Sequence, residues 1–373
     1  MIERYSTQEI SSIWSQDTYF NSLFYFITAY LNSILGRDIK LKSYPSIPRI
    51  KEIEKKTKHE FAAVLLHYEN LLDDEEAKAY LNHKLTSSDA LDTVFTFQIQ
   101  SSVNILLQQL ISLYDTLDGI NAAYFTKLTV GRTHGRHAEV IPYTQRFEHL
   151  IFEIQDFEDK LLDIQKSLYP KLSGPTGNTN ISLEIYEKMT SKYPSLNFNE
   201  AAFTTQVVPR HLHADVIWAC ASFAASVERF STNMRILSID EIAEVSESFT
   251  PGQIGSSSMP HKKNPVGFEN LCGISRLIRS NVTPALENIV LWFERDMSHS
   301  SVERVIFPDT FQLTHYMIRR LDNILKTMNF NTKQSNKNIK QSNVLTATKE
   351  FNDLLKTMPR SEAYSIIQKK YLG

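Results

Sequence analysis

The sequence has 373 residues and a formal net charge of −2. Because this charge gives no overall basic field, the composition does not support binding to nucleic acid or to a membrane surface. Two cysteines, Cys220 and Cys272, are too few for a disulfide framework or a thiolate metal site, and we interpret both as small buried hydrophobic residues. The 11 histidines show no paired ligand spacing, so the sequence predicts no metal.

Glycine is scarce, with 11 in the chain, and this favours long uninterrupted helices over a turn-rich β fold. The N-terminal residues MIERYSTQEI lack the charged and then apolar layout of a signal peptide. No stretch reaches the apolar length of a transmembrane span. We therefore expect a cytoplasmic protein with neither a membrane nor a nucleic acid as partner.

Apolar residues at three- and four-residue steps predict long helices after a leading segment of short ones. Residues 1 to 85 alternate short helical patterns with polar turns and predict a small N-terminal domain. Long apolar stripes run from Val103 to Ile120 and from Phe147 to Leu168. Residues 211 to 250 contain neither proline nor glycine and predict a third long helix.

The second half of the chain continues the helical pattern. A fourth helix should begin near Val266 and bend or break at Pro284, and a fifth should run from Phe311 to about Met328. The polar tract NTKQSNKNIKQSN after Phe330 is typical of a linker or mobile surface segment. No internal repeat and no alternating strand pattern is present, so we predict an all-α bundle of about five long helices.

We divide the predicted fold into three parts. A helical N-terminal domain spans residues 1–85, the bundle spans residues 86–335, and a short C-terminal helical tail spans residues 336–373.

Residues 252 to 265, GQIGSSSMPHKKNP, form the most distinctive stretch. Three consecutive serines follow a glycine, and cationic and amide side chains follow the serines between two prolines. By composition this is a mobile loop that attracts anions. A plain connection between two helices is the alternative.

Three other stretches offer polar groups at the ends of predicted helices. TSSD at 86 to 89 is typical of a helix N-cap, with an acidic residue three places after the capping residue. The free backbone N–H groups at a helix start, together with the hydroxyls of Thr86 and Ser87, would also suit a bound carboxylate. GRTHGRHAE at 131 to 139 lies between two long helices, and its His134 is a candidate proton donor. Gln206 lies before the third long helix and could donate its amide to a carboxylate.

The sequences of these stretches resemble the motifs of a known enzyme family. GSSSMPHKKNP fits the pattern G-S-x-x-M-x-x-K-x-N of the fumarase/aspartase superfamily. MIERYS, TSSD, GRTHGRHAE, TQ, ERDMSHSSVER and FPD resemble, in that order, the adenylosuccinate lyase branch over about residues 1 to 330. The resemblance implies an all-α homotetramer with a twenty-helix core, active sites shared by three subunits, and no cofactor.

The same resemblance implies roles for particular residues. Ser256 matches the general base, His134 matches the general acid that protonates the leaving nitrogen, and Lys262 would favour the Ser256 alkoxide. His59 matches a histidine that supports the substrate. The matched substrate-binding residues are Thr86, Ser87, Thr133 and Gln206 for the carboxylates, Arg4, Tyr5, Arg295, Ser300 and Arg304 for the 5′-phosphate, and Lys58, Glu60, Ser257, Met259 and Asn264.

The implied reaction is β-elimination of fumarate from an N-succinyl nucleotide, giving AMP from adenylosuccinate and AICAR from SAICAR. The chain departs from the family's sequence motifs at Lys58, Asn82 and Lys84, and its C-terminal domain is shorter than the family's. These departures favour, as an alternative, a lyase of this branch with a different N-succinyl substrate. Two further alternatives are another superfamily member, such as an argininosuccinate lyase or a carboxymuconate-type cycloisomerase, and a non-catalytic scaffold.

Overall fold

Long helices dominate the computed structural model, which describes residues 2–178, 181–192, 198, 203–250 and 252–372. Helices make up 66% of the described residues, and this confirms the all-α prediction. In chain order, a 3-10 turn at Glu3–Tyr5 is followed by helices α1 Gln8–Ile13, α2 Gln16–Leu35, α3 Ile47–Thr57, α4 Glu60–Asn70, α5 Glu75–Ala79, α6 Ser87–Tyr124, α7 Gln145–Ser167, α8 Leu183–Lys192, α9 Arg210–Leu237, α10 Val266–Ser280, α11 Val282–Glu287, α12 Ser298–Thr327, α13 Thr332–Lys340, α14 Val344–Leu354 and α15 Arg360–Leu372. The strands are β1 Leu128–Thr133, β2 Arg136–Pro142, β3 Val245–Ser246 and β4 Asn329–Phe330.

The predicted stripes correspond to buried faces of α6, α7 and α9. On α6 the side chains of Leu106, Leu110 and Leu113 are fully buried, as their spacing requires. The predicted break near Pro284 is also present, because α10 ends at Ser280 and Pro284 lies in the first turn of α11. A proline is tolerated there since its missing N–H would have no intrahelical acceptor.

The chain packs into two compact units. The first unit comprises Met1–Gln109, Asp156–Ala224 and Arg276–Tyr316, and the second comprises Leu110–Gln155, Ala225–Ser275 and Met317–Gly373. In the first unit, buried aromatic and aliphatic side chains of α2, α4 and α5 form a core with the beginning of α6. The three-part division predicted from the sequence stays a prediction.

A β-hairpin in the second unit was not predicted from the sequence. Strands β1 and β2 pair antiparallel, with Thr133 opposite Arg136, so His134 and Gly135 alone form the turn. Both turn residues have positive φ, 52° at His134 and 74° at Gly135. This is the type I′ geometry that suits a two-residue hairpin, and it was missed because the strands lack a strict apolar alternation.

The polar tract after Phe330 folds as helix α13, so its prediction as a linker was wrong. The Asn331 side chain accepts a hydrogen bond from Gln334 N at 3.1 Å and caps the helix. Its buried face carries Ser335, Asn338 and Ile339. Only one of these three residues is apolar, and the hydrophobic pattern therefore did not reveal the helix. In the described part of the chain, no helix is both long and apolar enough to cross a bilayer.

Candidate functional site

A cavity of about 350 Å³ in the first unit collects several predicted substrate-binding residues. Arg295, Ser300 and Arg304 all line it, together with Glu60. The Asp296 carboxylate accepts hydrogen bonds from Ser298 N at 2.7 Å and Trp292 N at 2.8 Å. A hydrogen bond from the Ser298 side chain, and then these two backbone bonds, lower the pKa of Asp296 to about 2. This cap fixes the first turn of α12, and the helix then places Ser300 and Arg304 at the same cavity.

Arg304 is held by an acidic partner inside the cavity. Its Nη2 donates to Glu60 Oε1 at 3.0 Å, and the Tyr19 hydroxyl donates to the same oxygen at 2.7 Å. Burial lowers the pKa of Arg304, but the Glu60 charge outweighs burial and leaves the pKa above its ordinary value. Burial, and then Glu60, raise the pKa of Tyr19. The cavity therefore presents an arginine whose charge is secured by one carboxylate.

Gln206 connects Arg295 to a neighbouring loop. Its Oε1 accepts from Arg295 Nη1 at 2.8 Å, and its Nε2 donates to the Pro175 carbonyl at 2.9 Å. The amide thus orients one cavity arginine, and its predicted contact with a substrate carboxylate stays a prediction.

The predicted N-cap at the start of α6 is confirmed around Asp89. One carboxylate oxygen accepts from Thr86 N at 2.7 Å. The other accepts from Lys171 Nζ at 2.7 Å, Ser173 N at 2.7 Å and Gly174 N at 3.1 Å. Both members of the Asp89–Lys171 ion pair are fully buried. Thr86 and Ser87 therefore lie at the start of α6, where the buried Asp89 carboxylate holds the backbone in place.

The remaining predicted residues of the first unit lie at turns. His59 caps α4, where its Nδ1 accepts from Ala62 N at 3.1 Å, and Lys58 has a φ of 55°. Arg4 and Tyr5 lie in the short 3-10 turn, and the Tyr5 ring contacts the Tyr316 ring with centroids 5.2 Å apart. Neither of these two lines the described cavity.

A buried polar cluster beside the cavity was not predicted. Arg210 donates to both oxygens of Asp92, at 2.8 and 2.9 Å, and its Nε lies 2.8 Å from Glu303 Oε1. His299 Nδ1 lies 2.9 Å from Glu303 Oε2, and His213 Nδ1 lies 3.5 Å from Glu303 Oε1. Two signals were available in the sequence, since Asp92 follows Asp89 by three residues on α6 and Glu303 follows His299 by four on α12.

In the second unit, the hairpin presents Thr133 and His134 at its exposed tip and is anchored at Arg132. Arg132 Nη2 donates to the buried Glu244 carboxylate at 2.8 Å, and Thr129 and Asn338 donate to it at 2.7 and 3.0 Å. Burial raises the pKa of Glu244, but these three hydrogen bonds outweigh burial and lower it. A buried carboxylate thus fixes the strand that leads to His134.

The loop of residues 252–265, which we call the signature loop, closes on itself in the second unit. Asn264 Nδ2 donates to the Gly255 carbonyl at 3.1 Å, and Lys262 N donates to the Met259 carbonyl at 3.0 Å. A Cβ on Gly255 would lie 2.3 Å from the Lys262 carbonyl oxygen, so only glycine fits. Inside the loop, Ser256 Oγ accepts from Met259 N at 3.2 Å and from Ser258 N at 3.4 Å. Ser257, Met259 and Lys262 are exposed on the loop.

Comparisons with known proteins identify the family to which the chain is similar. A family model described as Lyase matches residues 47–279. The chain is 36% identical to an adenylosuccinate lyase of Aquifex aeolicus, over 99% of this chain and 87% of that protein. It is 34% identical to an adenylosuccinate lyase of Thermotoga maritima, over 100% of this chain and 88% of that protein.

Solved structures show the same fold at lower identity. The 3-carboxy-cis,cis-muconate lactonizing enzyme from Pseudomonas putida superposes with a TM-score of 0.84 at 18% identity, over 98% of this chain and 85% of that one. The fumarate lyase from Mesorhizobium sp. BNC1 gives 0.83 at 17% identity, over 98% and 86%.

Proposed function

Since this chain belongs to the adenylosuccinate lyase family of the fumarase/aspartase superfamily, we propose that it cleaves adenylosuccinate to AMP and fumarate, and SAICAR to AICAR and fumarate. It is a carbon–nitrogen lyase of the fumarate-eliminating type. The substrate and the roles of individual residues are the proposal.

The reaction poses two chemical problems. A base must remove a proton from the carbon next to one carboxylate, and the weak acidity of this carbon requires fixed donors around the developing negative charge. The C–N bond on the next carbon then breaks, and the leaving nitrogen needs a proton. We assign the first task to Ser256 and the second to His134.

The observation that carries the proposal is the environment of Ser256 Oγ. Two backbone amides of its own loop donate to it, and the Lys262 ammonium belongs to the same loop. Donors directed at an oxygen favour its ionised form, so these amides support a serine alkoxide as base. A local serine turn would use the same two amides, and activity of a Ser256 variant separates the two roles.

The position of His134 supports its role as acid. It forms the tip of a two-residue turn and is exposed, while the Glu244–Arg132 ion pair holds the strand behind it. A histidine is suited to proton transfer near neutral pH. In this scheme Thr86, Ser87, Thr133 and Gln206 hold the succinyl carboxylates, and Arg295, Ser300 and Arg304 hold the phosphate.

The test is release of fumarate from adenylosuccinate, and separately from SAICAR, by the purified full chain. Wild type and Ser258→Ala should turn over, whereas Ser256→Ala should lose at least about a thousandfold in kcat with little change in KM. Ser258 is a matched control because it is exposed in the same loop and donates to Ser256 Oγ through its backbone N–H, which alanine keeps. Equal kcat values for Ser256→Ala and Ser258→Ala would refute the assignment of the base.

A second candidate substrate is a different N-succinyl compound. The departures from the family wording, Lys58, Asn82 and Lys84, all have positive φ, at 55°, 59° and 62°. Glycine adopts this conformation most readily, so these residues keep tight turns while placing side chains there. In addition, Glu60 pairs with Arg304 inside the cavity. Fumarate release from another N-succinyl substrate, with none from adenylosuccinate, would favour this candidate.

A further inference from the structure

His299 is a buried cavity residue that the proposed reaction has not used. It lies in the first turn of α12, is 3% exposed, and lines the cavity together with Arg295, Ser300 and Arg304. Its Nε2 is buried and has no hydrogen-bond partner among the residues that the structure describes. A buried polar atom without a partner is unfavourable, and its position at a ligand cavity indicates that a ligand is the missing partner.

The contacts of the other ring nitrogen fix one proton. His299 Nδ1 lies 2.9 Å from Glu303 Oε2, and an ionised carboxylate can only accept a hydrogen bond. Arg210 Nη2 lies 3.2 Å from the same nitrogen, but the contact with the Glu303 carboxylate is the shorter of the two, so we infer that Nδ1 carries a proton. Burial raises the pKa of Glu303, but hydrogen bonds from His213 and His299 and the charge of Arg210 outweigh it, so Glu303 is ionised. Nε2 is then either the bare acceptor of a neutral ring or the donor of an imidazolium.

A protonated ring would balance the charges of the buried cluster around His299. Two carboxylates, Asp92 and Glu303, share the single guanidinium of Arg210. Burial lowers the pKa of His213, which therefore stays neutral. The other charged groups nearby are Asp296, Arg295 and Arg304; Arg295 donates to Gln206, and Arg304 donates to Glu60. Asp92, Glu303 and Arg210 together therefore carry one net negative charge, and of these three Glu303 and Arg210 lie within hydrogen-bond distance of His299.

We propose that His299 binds the phosphate of the substrate as an imidazolium, donating from Nε2 beside Arg295, Ser300 and Arg304. This inference rests on the proposed function in taking the ligand to be a phosphate monoester. It adds a ring N–H donor to a site otherwise made of permanently charged arginines and a hydroxyl. Phosphate affinity should be higher when the ring carries both protons than when Nε2 is bare.

Two substitutions separate the ring nitrogens. His299→Asn keeps a neutral donor near the position of Nδ1, and so the contact with Glu303, but has nothing at Nε2. His299→Gln keeps a donor near the position of Nε2 and cannot become charged. The affinities of AMP, inorganic phosphate and adenosine are measured by calorimetry for wild type and both variants, at about pH 6.5 and about pH 8.5. Thermal melting of each variant reports folding.

We expect wild type to bind AMP more weakly at the higher pH and His299→Gln to show no such change. At the lower pH, His299→Asn should bind AMP roughly ten- to a hundredfold more weakly than wild type, as loss of a charged hydrogen bond predicts. Adenosine affinity should be equal in all three proteins. The phosphate's own titration, near pH 6, is common to all three and cancels in the ratios.

Two results would overturn the inference. One is AMP affinity that is unchanged in both variants at both pH values. The other is an equal loss for adenosine and AMP, which would place Nε2 against the nucleoside or indicate a collapsed cavity. Cleavage of adenylosuccinate is assayed separately: phosphate binding that depends on His299 without such cleavage would reject the proposed substrate alone, and cleavage with His299-independent phosphate binding would reject this inference alone.

Discussion

Replacing Gly255 by alanine tests whether the signature loop must close as the structure shows. The new Cβ would lie 2.3 Å from the Lys262 carbonyl oxygen and 2.8 and 2.9 Å from two carbons of the Phe249 ring. The ring is able to turn aside, but the carbonyl belongs to the backbone of the loop. An ordinary carbon–oxygen contact is about 3.3 Å or longer, so the loop backbone at Lys262 must move by about 1 Å.

Such a displacement should affect catalysis far more than stability. A misplacement of about 1 Å at reacting groups costs on the order of a hundredfold in rate, and we expect kcat for fumarate release to fall by about that factor. The loop is largely exposed, and the contact most directly weakened is the 3.1 Å bond from Asn264 to Gly255. The free energy of unfolding should therefore change by no more than about 1 kcal/mol.

The matched control is Gly273→Ala in helix α10. An added Cβ there meets nothing within 4 Å, so this variant should keep wild-type kcat and gain about 0.5–1 kcal/mol of stability. Removing the Phe249 ring in a Phe249→Ala/Gly255→Ala double variant should not restore kcat, because the carbonyl is the nearer obstacle. A Gly255→Ala enzyme with kcat within threefold of wild type and an unchanged melting temperature would refute the reasoning.

Three further predictions concern buried groups. Lys171→Met leaves Asp89 without its buried cation and should lower the free energy of unfolding by about 3–5 kcal/mol in urea titrations; a loss below 1 kcal/mol would contradict this. Glu244 has a lowered pKa in the folded protein, so its stabilisation is present above the ordinary glutamate pKa of about 4.3 and is lost as the pH falls towards the folded value. In chemical denaturation between about pH 3 and 7, the free energy of unfolding should therefore fall less towards acid pH in Glu244→Gln than in wild type. An equal dependence of the unfolding free energy on pH in both proteins would argue against this. Burial raises the pKa of Cys220 to about 12, so the native protein should resist alkylation of this thiol at about pH 8 until it is unfolded, and rapid labelling would contradict its burial.

The helical core could be predicted from sequence because its information is local. The stripes on α6, α7 and α9 repeat within each helix, and the break before α11 follows from the preference of proline for a first turn. The hairpin and helix α13 lack such a local apolar pattern. Both instead contact Glu244, whose carboxylate binds Arg132 on β1 and Asn338 on α13 across 112 and 94 residues of sequence.

The same limit applies to the candidate site. The motifs identified Arg295, Ser300 and Arg304 individually, and the structure adds that they share a cavity. The Asp92–Arg210 pair joins residues 118 apart, so the sequence around either residue does not show that the two are partners. Such pairs depend on which helices pack together, and the spacing of residues within one helix does not contain that information.

The closed conformation of the signature loop requires some of its residues but does not explain the side chain of Lys262. Gly255 is required by space, and Asn264 is required by its bond to the Gly255 carbonyl. Lys262 contributes to closure through its backbone N–H, which donates to Met259, whereas its side chain is exposed. The fold therefore gives the Lys262 ammonium no structural task, and the proposed reaction assigns it one.

Lys262→Met keeps the backbone bond and much of the aliphatic side chain but removes the charge. We expect kcat to fall by about 10²–10³-fold, the usual cost of losing one donor to a developing anion, with an unchanged melting temperature. The neighbouring variant Lys263→Met is the control, since the Lys263 ammonium lies 5.5 Å from the centroid of the Phe249 ring and has no assigned role in the reaction. If both variants lost kcat equally, the effect would be the general positive charge of the loop, and Lys262 would have no specific part in the elimination.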